Sequence, residues 1–87
     1  MGSYKIQLLK SADRDIRKID KHQIKRILAA IRVLSDEPFP TQYKKLRGSE
    51  SSYRLRVGDY RVIYEVDNAK KIIEIFYVRH RKDAYRK

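Results

Sequence analysis

Apolar residues recur at helical spacing in the first half of the chain. One stripe begins at i, i+3, i+4, i+7 spacing and comprises Ile24, Ile27, Leu28, Ile31 and Leu34. Basic residues fall mostly away from this stripe, as they do on an amphipathic helix that buries one face. The spacing therefore predicts a helix over residues 20–34.

A shorter helix is predicted immediately before it. Ser11 stands ahead of Asp13 and Asp15. This order is typical of a helix start, because a Ser oxygen can accept hydrogen bonds from free amides and carboxylates suit the helix dipole. Ile16 and Ile19 follow at i, i+3 spacing. With a tight break between them, the two segments form a helical hairpin.

The remaining segments have the apolar and polar patterns of strands. Strands are predicted over residues 4–9, 53–57, 60–67 and 71–79. Residues 41–50 follow the two prolines that end the helical part, and we expect them to form a basic, polar connection. The order β-α-α-β-β-β predicts one α+β domain over residues 1–87. In it, a small antiparallel-rich sheet packs against an N-terminal helical hairpin, and a basic C-terminal element follows.

A two-residue turn fixes the register of the central hairpin. With Gly58 and Asp59 as the turn residues, Arg56 lies directly opposite Arg61. Because side chains alternate between the faces of a sheet, Arg54 shares the face of these two arginines. The opposite face is predicted to cover the helices, and its members are Tyr53, Leu55, Val57, Tyr60, Val62, Tyr64 and Val66.

The three arginines on one face have two interpretations. Like charges at opposed positions destabilise a sheet by roughly a few tenths to 1 kcal/mol, so the arrangement calls for a reason. A solvated surface is the first interpretation, since exposed strands often carry Lys and Arg. The second is an anion site, because guanidinium is planar, permanently charged and bidentate towards phosphate. All three positions are Arg although Lys is common elsewhere in the chain, which favours the anion site.

The net charge of the chain points to a polyanionic partner. There are 22 Lys and Arg residues against 11 Asp and Glu, which gives +11, and both halves of the chain share the excess. A domain with this charge attracts polyanions. Nucleic acid is the first partner to consider, an acidic protein the second and an anionic membrane surface the third. No apolar run is long enough to span a membrane, and no membrane partner is predicted.

Cysteine is absent from the chain, which excludes disulfides, thiolate catalysis and Cys-based zinc sites. The two histidines, His22 and His80, are too far apart for a local metal-ligand pair. No local metal site is therefore expected from these residues, and no cofactor is predicted for the chain. No apolar stretch of a signal peptide follows the start of the chain, so a cytoplasmic location is expected.

The C-terminal segment, residues 79–87, adds candidate chemistry beside the arginine face. It contains His80, Arg81 and Tyr85 among further basic residues. Arg can stabilise a pentavalent phosphate, His or Tyr can move a proton, and Tyr can stack on a base. One alternative is that this segment is only a basic, partly frayed tail. Another is that Tyr85 is an apolar side chain that covers the edge of the sheet.

Four motifs resemble the RelE-type toxins of bacterial and archaeal toxin–antitoxin systems, within the RelE/ParE superfamily. They are K-L-R-G at residues 45–48, Y-R-L-R at 53–56, G-D-Y-R-V-I-Y-E-V at 58–66 and R-H-R-K-D-A-Y at 79–85. Each motif is short, but their order and spacing, together with the helical hairpin, are specific. The likeness covers nearly the whole chain.

The resemblance implies a ribosome-dependent endoribonuclease that cuts messenger RNA in the ribosomal A site and so inhibits translation. In this family the 2′-hydroxyl attacks the adjacent phosphate without a metal, leaving a 2′,3′-cyclic phosphate and a 5′-hydroxyl. The implied partners are an acidic antitoxin, the 70S ribosome and messenger RNA. Operator DNA is an implied partner only through the antitoxin complex.

The resemblance also implies roles for individual residues. Arg54 and Arg56 match positions on a strand that bears two basic active-site residues in the family. Arg61 matches a phosphate-binding arginine on the next strand, and Arg81 matches an arginine that follows the last strand. Tyr85 matches a C-terminal tyrosine that stacks on the substrate base. His80 is a candidate for proton transfer. The positions expected to bind the RNA backbone by charge are Lys44, Lys45, Arg47 and Arg79.

The general base is left open by the sequence. Where the family can carry Lys, the strand of Arg54 and Arg56 carries only Arg, which is not deprotonated in proteins. Imidazole exchanges a proton readily near neutral pH, so His80 is the first candidate. Tyr85 and Glu50 are weaker candidates. A site without a strong base, working by charge stabilisation and substrate positioning, is the other alternative.

A non-enzymatic toxin is the alternative function. In the ParE branch of the superfamily the toxin binds and poisons DNA gyrase, with the same fold and no nuclease chemistry. That branch usually lacks the full set of Arg54, Arg56, Arg61, Arg81 and Tyr85. All five are present in this chain, which favours the ribonuclease.

Overall fold

Seven elements follow one another in the part of the chain that the computed structural model describes, residues 3–39, 43–45 and 52–80. In chain order they are β1 Lys5–Leu8, α1 Lys10–Arg17, α2 Lys21–Asp36, β2 Tyr43–Lys45, β3 Ser52–Val57, β4 Tyr60–Asp67 and β5 Ile72–His80. The six predicted elements are all present. The strand β2 is an addition, and it lies within the segment expected to be a connection.

The five strands form one mixed sheet in the order β1-β5-β4-β3-β2. β1 runs parallel to β5, and all other neighbours are antiparallel. The predicted α+β class and its antiparallel-rich sheet are confirmed. β2 was not predicted because its three residues are too few for an alternating pattern to be recognised in a sequence.

The core lies between the helices and one face of the sheet. Its buried members are Ala12, Ile27, Ile31 and Leu34 from the helices, and Leu55, Val62, Tyr64, Val66, Ile73, Ile75 and Val78 from the strands. Leu28, from the predicted stripe of α2, packs at the margin of this cluster. The buried Tyr64 hydroxyl donates a 2.7 Å hydrogen bond to the Pro38 carbonyl, which ties the end of the helical layer to the sheet. Neither described helix has the length and apolar character to cross a membrane.

The β3–β4 hairpin has the register that the sequence predicts. Val57 pairs with Tyr60 and Arg56 with Arg61 across the two-residue turn. Gly58, the first turn residue, has a φ of +61°, the left-handed conformation that such turns require and that glycine adopts without steric cost. The apolar face of the hairpin therefore covers the helices, and the arginine face points away from them.

A bulge in β5 reverses the alternation of its side chains. Tyr64 pairs with Ile75 whereas its neighbour Ile63 pairs with Tyr77, so Phe76 is an extra residue in the ladder. Before the bulge Ile75 is buried, and after it Val78 is buried, three positions later and not two. The bulge therefore brings Val78 into the core and turns the next residue, Arg79, towards the outer face of the sheet.

Helix α1 covers the edge of β5 where β1 ends. The Ser11 hydroxyl donates a 2.5 Å hydrogen bond to the Phe76 carbonyl, and the Val78 amide donates a 3.0 Å bond to the Asp15 carboxylate. The sequence predicts Ser11 at the helix start, but α1 begins at Lys10. The hydroxyl of Ser11 bonds the sheet edge, whose exposed backbone groups otherwise need another partner.

Candidate functional site

Three arginines occupy paired positions on three neighbouring strands. Arg56 in β3 pairs with Arg61 in β4, and Arg61 pairs with Arg79 in β5. Adjacent strands lie about 4.8 Å apart, so the three Cα atoms span roughly 10 Å. We call Arg56, Arg61 and Arg79 the arginine row. It concentrates three permanent positive charges on the outer face of the sheet.

Arg54 lies on the same face, two residues before Arg56 in β3. In the backbone register Lys44 of β2 pairs with Arg54. Arg54 is half-buried, and so is Arg61, whose Nε atom is buried. Arg56 is exposed. The site thus combines guanidinium groups set into the protein surface with one that projects into solvent.

The position of Arg79 is fixed by two neighbours. Its Nε donates a 3.1 Å hydrogen bond to Asp15 Oδ2, and its guanidinium carbon lies 4.3 Å from the centroid of the Tyr77 ring. The Asp15 side chain is only 17% exposed. This partly buried carboxylate holds Arg79 at the end of the row and offsets part of its charge, while the aromatic ring supports the guanidinium from the same strand.

His80 lies on the other face of the sheet from the arginine row. It pairs with Tyr60, and the two rings meet edge to face with centroids 5.3 Å apart. Tyr60 packs against the core. The structure therefore does not bring His80 to the arginines with which the sequence groups it. The face of His80 depends on the bulge at Phe76, which alternation along the sequence does not reveal.

A further arginine comes from the helical layer and approaches the end of the row. The guanidinium nitrogens of Arg26 in α2 lie 3.2 and 3.3 Å from the position that a Cβ atom on Gly58 would occupy. Arg56 Nε donates a 3.3 Å hydrogen bond to the Gly58 carbonyl. The sequence analysis does not predict Arg26 as a site residue. Its position on the polar side of α2 does not indicate that it contacts the β3–β4 turn.

The opposite end of the outer face is acidic. Glu65 in β4 pairs with Glu74 in β5, and both residues, with Asp67, line a cavity. The Ser52 hydroxyl donates a 3.0 Å hydrogen bond to Glu65. The outer face is therefore polarised along the strands, with the arginine row near the β3–β4 turn and carboxylates at the far end.

Two of the remaining predicted site residues lie in the edge strand β2. In its backbone pairing Lys44 lies opposite Arg54 and Lys45 opposite Tyr53. Four others lie outside the described residues: Arg47, Glu50, Arg81 and Tyr85. Within the described ranges, no group of three or more His, Asp or Glu side chains is placed to hold a metal ion.

Known proteins share this fold over nearly the whole chain. Toxin RelG of Mycobacterium tuberculosis is 32% identical over 89 residues, covering 97% of this chain and 98% of RelG. The putative toxin RelE1 of Methanocaldococcus jannaschii is 29% identical over 86 residues, covering 95% and 96%. The crystal structure of the archaeal RelE–RelB complex from Pyrococcus horikoshii matches with a TM-score of 0.81 and 32% identity, covering 91% of this chain and 96% of that chain.

The fold and the sequence are thus those of a toxin from a toxin–antitoxin system, and of the RelE type. The family model described as the ParE toxin of the type II toxin–antitoxin system parDE matches residues 6–85. The chain belongs to this ParE toxin family. The resemblance to RelE-type toxins that the sequence motifs predict is confirmed.

Proposed function

We propose that this toxin is an endoribonuclease that cleaves messenger RNA in the A site of the ribosome and so arrests translation and growth. The observation that carries the proposal is the arginine row, three guanidinium groups at paired positions on one face of the sheet. A phosphodiester passing over this face meets guanidinium groups, each of which can donate two parallel hydrogen bonds to phosphate oxygens. Fixed donors aimed at developing charge are the largest contribution to many phosphate-cleaving sites.

The proposed reaction is cleavage by the adjacent ribose. The 2′-oxygen forms a bond to phosphorus and loses its proton, while the bond from phosphorus to the 5′-oxygen breaks and that oxygen gains a proton. The products are a 2′,3′-cyclic phosphate and a 5′-hydroxyl. Arg56 and Arg61 stabilise the extra negative charge on the phosphoryl oxygens, and Arg54 binds the flanking phosphate. No metal takes part in the proposed step.

By resemblance, Arg81 adds to the clamp on the scissile phosphate, and Tyr85 stacks on the base to hold the substrate in line. Lys44, Lys45, Arg47 and Arg79 bind the RNA backbone by charge, without reading its sequence. The site accelerates cleavage by charge stabilisation and by positioning. Proton transfer is not assigned to His80 in this proposal, because its ring contacts Tyr60 on the opposite face of the sheet.

An acidic antitoxin is the proposed partner in the cell. The P. horikoshii, M. tuberculosis and M. jannaschii relatives were crystallised as toxin–antitoxin complexes. With a net charge of +11, this chain is suited to an acidic segment that covers the arginine row and neutralises it. Operator DNA is contacted through that complex. Both proposed targets, ribosome and antitoxin, place the toxin in the cytoplasm.

A gyrase-binding toxin is the second candidate function. The observation in its favour is the match to the ParE toxin family, whose name-giving branch acts without nuclease chemistry. In that case the arginine row binds a protein surface and no RNA is cut. The arrangement of the row for bidentate phosphate contacts favours the ribonuclease.

Messenger cleavage on programmed ribosomes tests the proposal. Wild type, Arg61→Gln and Arg14→Gln are incubated with ribosomes that hold a defined A-site codon, and cuts are mapped by primer extension. Arg61→Gln is expected to lose cleavage by roughly 100-fold or more, since one charge-stabilising donor is removed. Arg14 is an exposed arginine on α1, so Arg14→Gln serves as the matched charge control and keeps wild-type cleavage.

The outcomes separate the two candidate functions. Cuts at the A-site codon by wild type and Arg14→Gln but not by Arg61→Gln support the ribonuclease. No cut by wild type, combined with growth arrest in cells and inhibition of DNA supercoiling by gyrase, overturns it in favour of the gyrase-binding toxin.

A further inference from the structure

We propose a second anion-binding site at the β3–β4 turn, formed by Arg26 and Arg56 around Gly58, which binds a phosphodiester group of RNA next to the one held by the arginine row. The inference rests on the proposed function, because it extends the RNA-binding surface from the sheet onto the helical layer. We call these three residues the turn site.

In the turn site, the guanidinium groups of Arg26 and Arg56 both lie next to Gly58. The two terminal nitrogens of Arg26 come within 3.2–3.3 Å of the Cβ position of Gly58, and Arg56 Nε lies 3.3 Å from the carbonyl oxygen of the same residue. Arg26 reaches the turn from α2, and Arg56 from β3. Two permanent positive charges from different layers are thereby held at one turn.

Gly58 makes this convergence possible. A side chain at this position meets the Arg26 guanidinium at a distance that is tighter than ordinary van der Waals contact, so the guanidinium has to shift. The glycine thus has two roles in one place. It adopts the positive φ of the turn, and it leaves room for the cation beside the backbone.

Nearby charges within the described chain do not explain why the two cations meet. In the described ranges, neither Arg26 nor Arg56 forms an ion pair with a carboxylate, although Asp59 lies in the same turn. Two like charges held near one residue repel each other. An anionic ligand at the turn offsets this repulsion, which is the reason we assign one.

The ligand follows from the connection to the arginine row. Arg56 belongs to both sites, so a strand of RNA whose phosphate lies over Arg56 and Arg61 continues past the turn towards Arg26. A repeating phosphodiester backbone suits two adjacent guanidinium sites because charge contacts to it need no particular base. An acidic protein segment is the competing partner, and polyglutamate represents it in the binding experiment.

Salt-dependent binding of a short RNA tests the turn site with the whole chain. Fluorescein-labelled oligouridylate is titrated with wild type, Arg26→Gln and Arg32→Gln by anisotropy, over a series of NaCl concentrations. Each phosphate contact to a single strand contributes about 0.7 to the slope of log affinity against log salt. Arg26→Gln is expected to flatten the slope by about 0.7. Arg32→Gln, an exposed arginine of the same helix, leaves it near that of wild type.

A charge-neutral variant provides the second readout. Gly58→Asn puts a side chain next to the Arg26 guanidinium, which has to shift, and Asn is among the residues that best tolerate the positive φ of this position. It is expected to weaken RNA binding in the same direction as Arg26→Gln. The double variant is expected to lose no more than Arg26→Gln alone, since both changes remove one contact.

Each outcome decides the inference. Equal effects of Arg26→Gln and Arg32→Gln on the salt slope overturn the turn site, and so does additive loss in the double variant. A loss by Arg26→Gln seen with polyglutamate but not with oligouridylate assigns the turn to an acidic protein and overturns the RNA ligand. Wild-type cleavage on ribosomes together with an unchanged slope in Arg26→Gln removes the turn site while leaving the proposed function intact.

Discussion

At the scale of single residues, Asp15 links the helical layer to the arginine row. One carboxylate oxygen of Asp15 accepts hydrogen bonds from the Val78 amide and from Arg79 Nε, at 3.0 and 3.1 Å. Asp13, two residues earlier on the helix, is 52% exposed and pairs with Arg17 at 3.2 Å. The two aspartates therefore differ in burial and in their partners, since Asp15 bonds the sheet and Asp13 only its own helix, although both follow the predicted helix start in the sequence.

Substitution of Asp15 is expected to destabilise the domain far more than substitution of Asp13. Asp15→Ala leaves the Val78 amide without its acceptor, at a cost of about 2–3 kcal/mol in the free energy of unfolding. Asp15→Asn keeps an acceptor oxygen and costs less. Asp13→Ala, which removes an exposed i, i+4 pair, costs at most about 0.5 kcal/mol. Urea denaturation of the three variants measures these values, and equal costs at the two positions contradict the assignment.

Sequence reasoning at this scale found the residue types but only some of their contacts. It identified Arg54, Arg56 and Arg61 as one set because a single turn fixes their register. It did not find the contact of Arg26 with Gly58, which depends on how a helix packs over a sheet. Such tertiary contacts leave no periodic signal along the chain.

At the scale of elements, the bulge in β5 decides which residues share a face. With plain alternation from Ile73 and Ile75, Arg79 falls on the core face, and the arginine row has only two members. Because Phe76 is an extra residue, Val78 enters the core and Arg79 joins the row. Sequence alternation therefore predicts the β3–β4 hairpin but not the end of β5, where the regular period of two is interrupted.

Deletions in β5 test the role of the bulge. Removing Phe76 leaves Tyr77 and Val78 on their present faces, because the ladder becomes regular while the pairing across it is kept. We expect this variant to fold, with a modest loss of stability from the missing Ser11 contact. Removing Val78 also makes the ladder regular and keeps Arg79 opposite Arg61, but it places Tyr77 at the buried position of Val78. The larger ring is expected to overpack the core and to cost about 1–3 kcal/mol in the free energy of unfolding.

Circular dichroism with thermal unfolding compares the two deletions. Both shorten the chain by one residue at neighbouring positions, so each is the other's control for a change in length. A folded Val78 deletion together with an unfolded Phe76 deletion contradicts the assignment of Val78 to the core face.

At the scale of the whole molecule, a few large side chains between two thin layers hold the domain together. Ile27 is 1% exposed and contributes to the core from α2, whereas Val33 on the same helix is 49% exposed. Both residues lie in helical backbone, so substitution to Ala separates the effect of burial from that of helix propensity.

We expect Ile27→Ala to lower the free energy of unfolding by about 2–4 kcal/mol, because it opens a cavity in a core that has few other members. Val33→Ala is expected to change it by no more than about 0.5 kcal/mol. Chemical denaturation followed by circular dichroism measures both. A similar loss for the two variants means that α2 buries a face other than that of Ile27, Ile31 and Leu34.

The polarity of the outer sheet face has a consequence for how this molecule meets a large partner. Cations gather at one end of the strands and the paired carboxylates Glu65 and Glu74 at the other, so the outer sheet face carries charges of opposite sign at its two ends. In the field of a polyanion such a body experiences a torque before it makes contact, over distances of about the 8 Å Debye length at physiological salt. Diffusional encounters therefore begin already oriented, with the arginine end leading and the carboxylate end trailing.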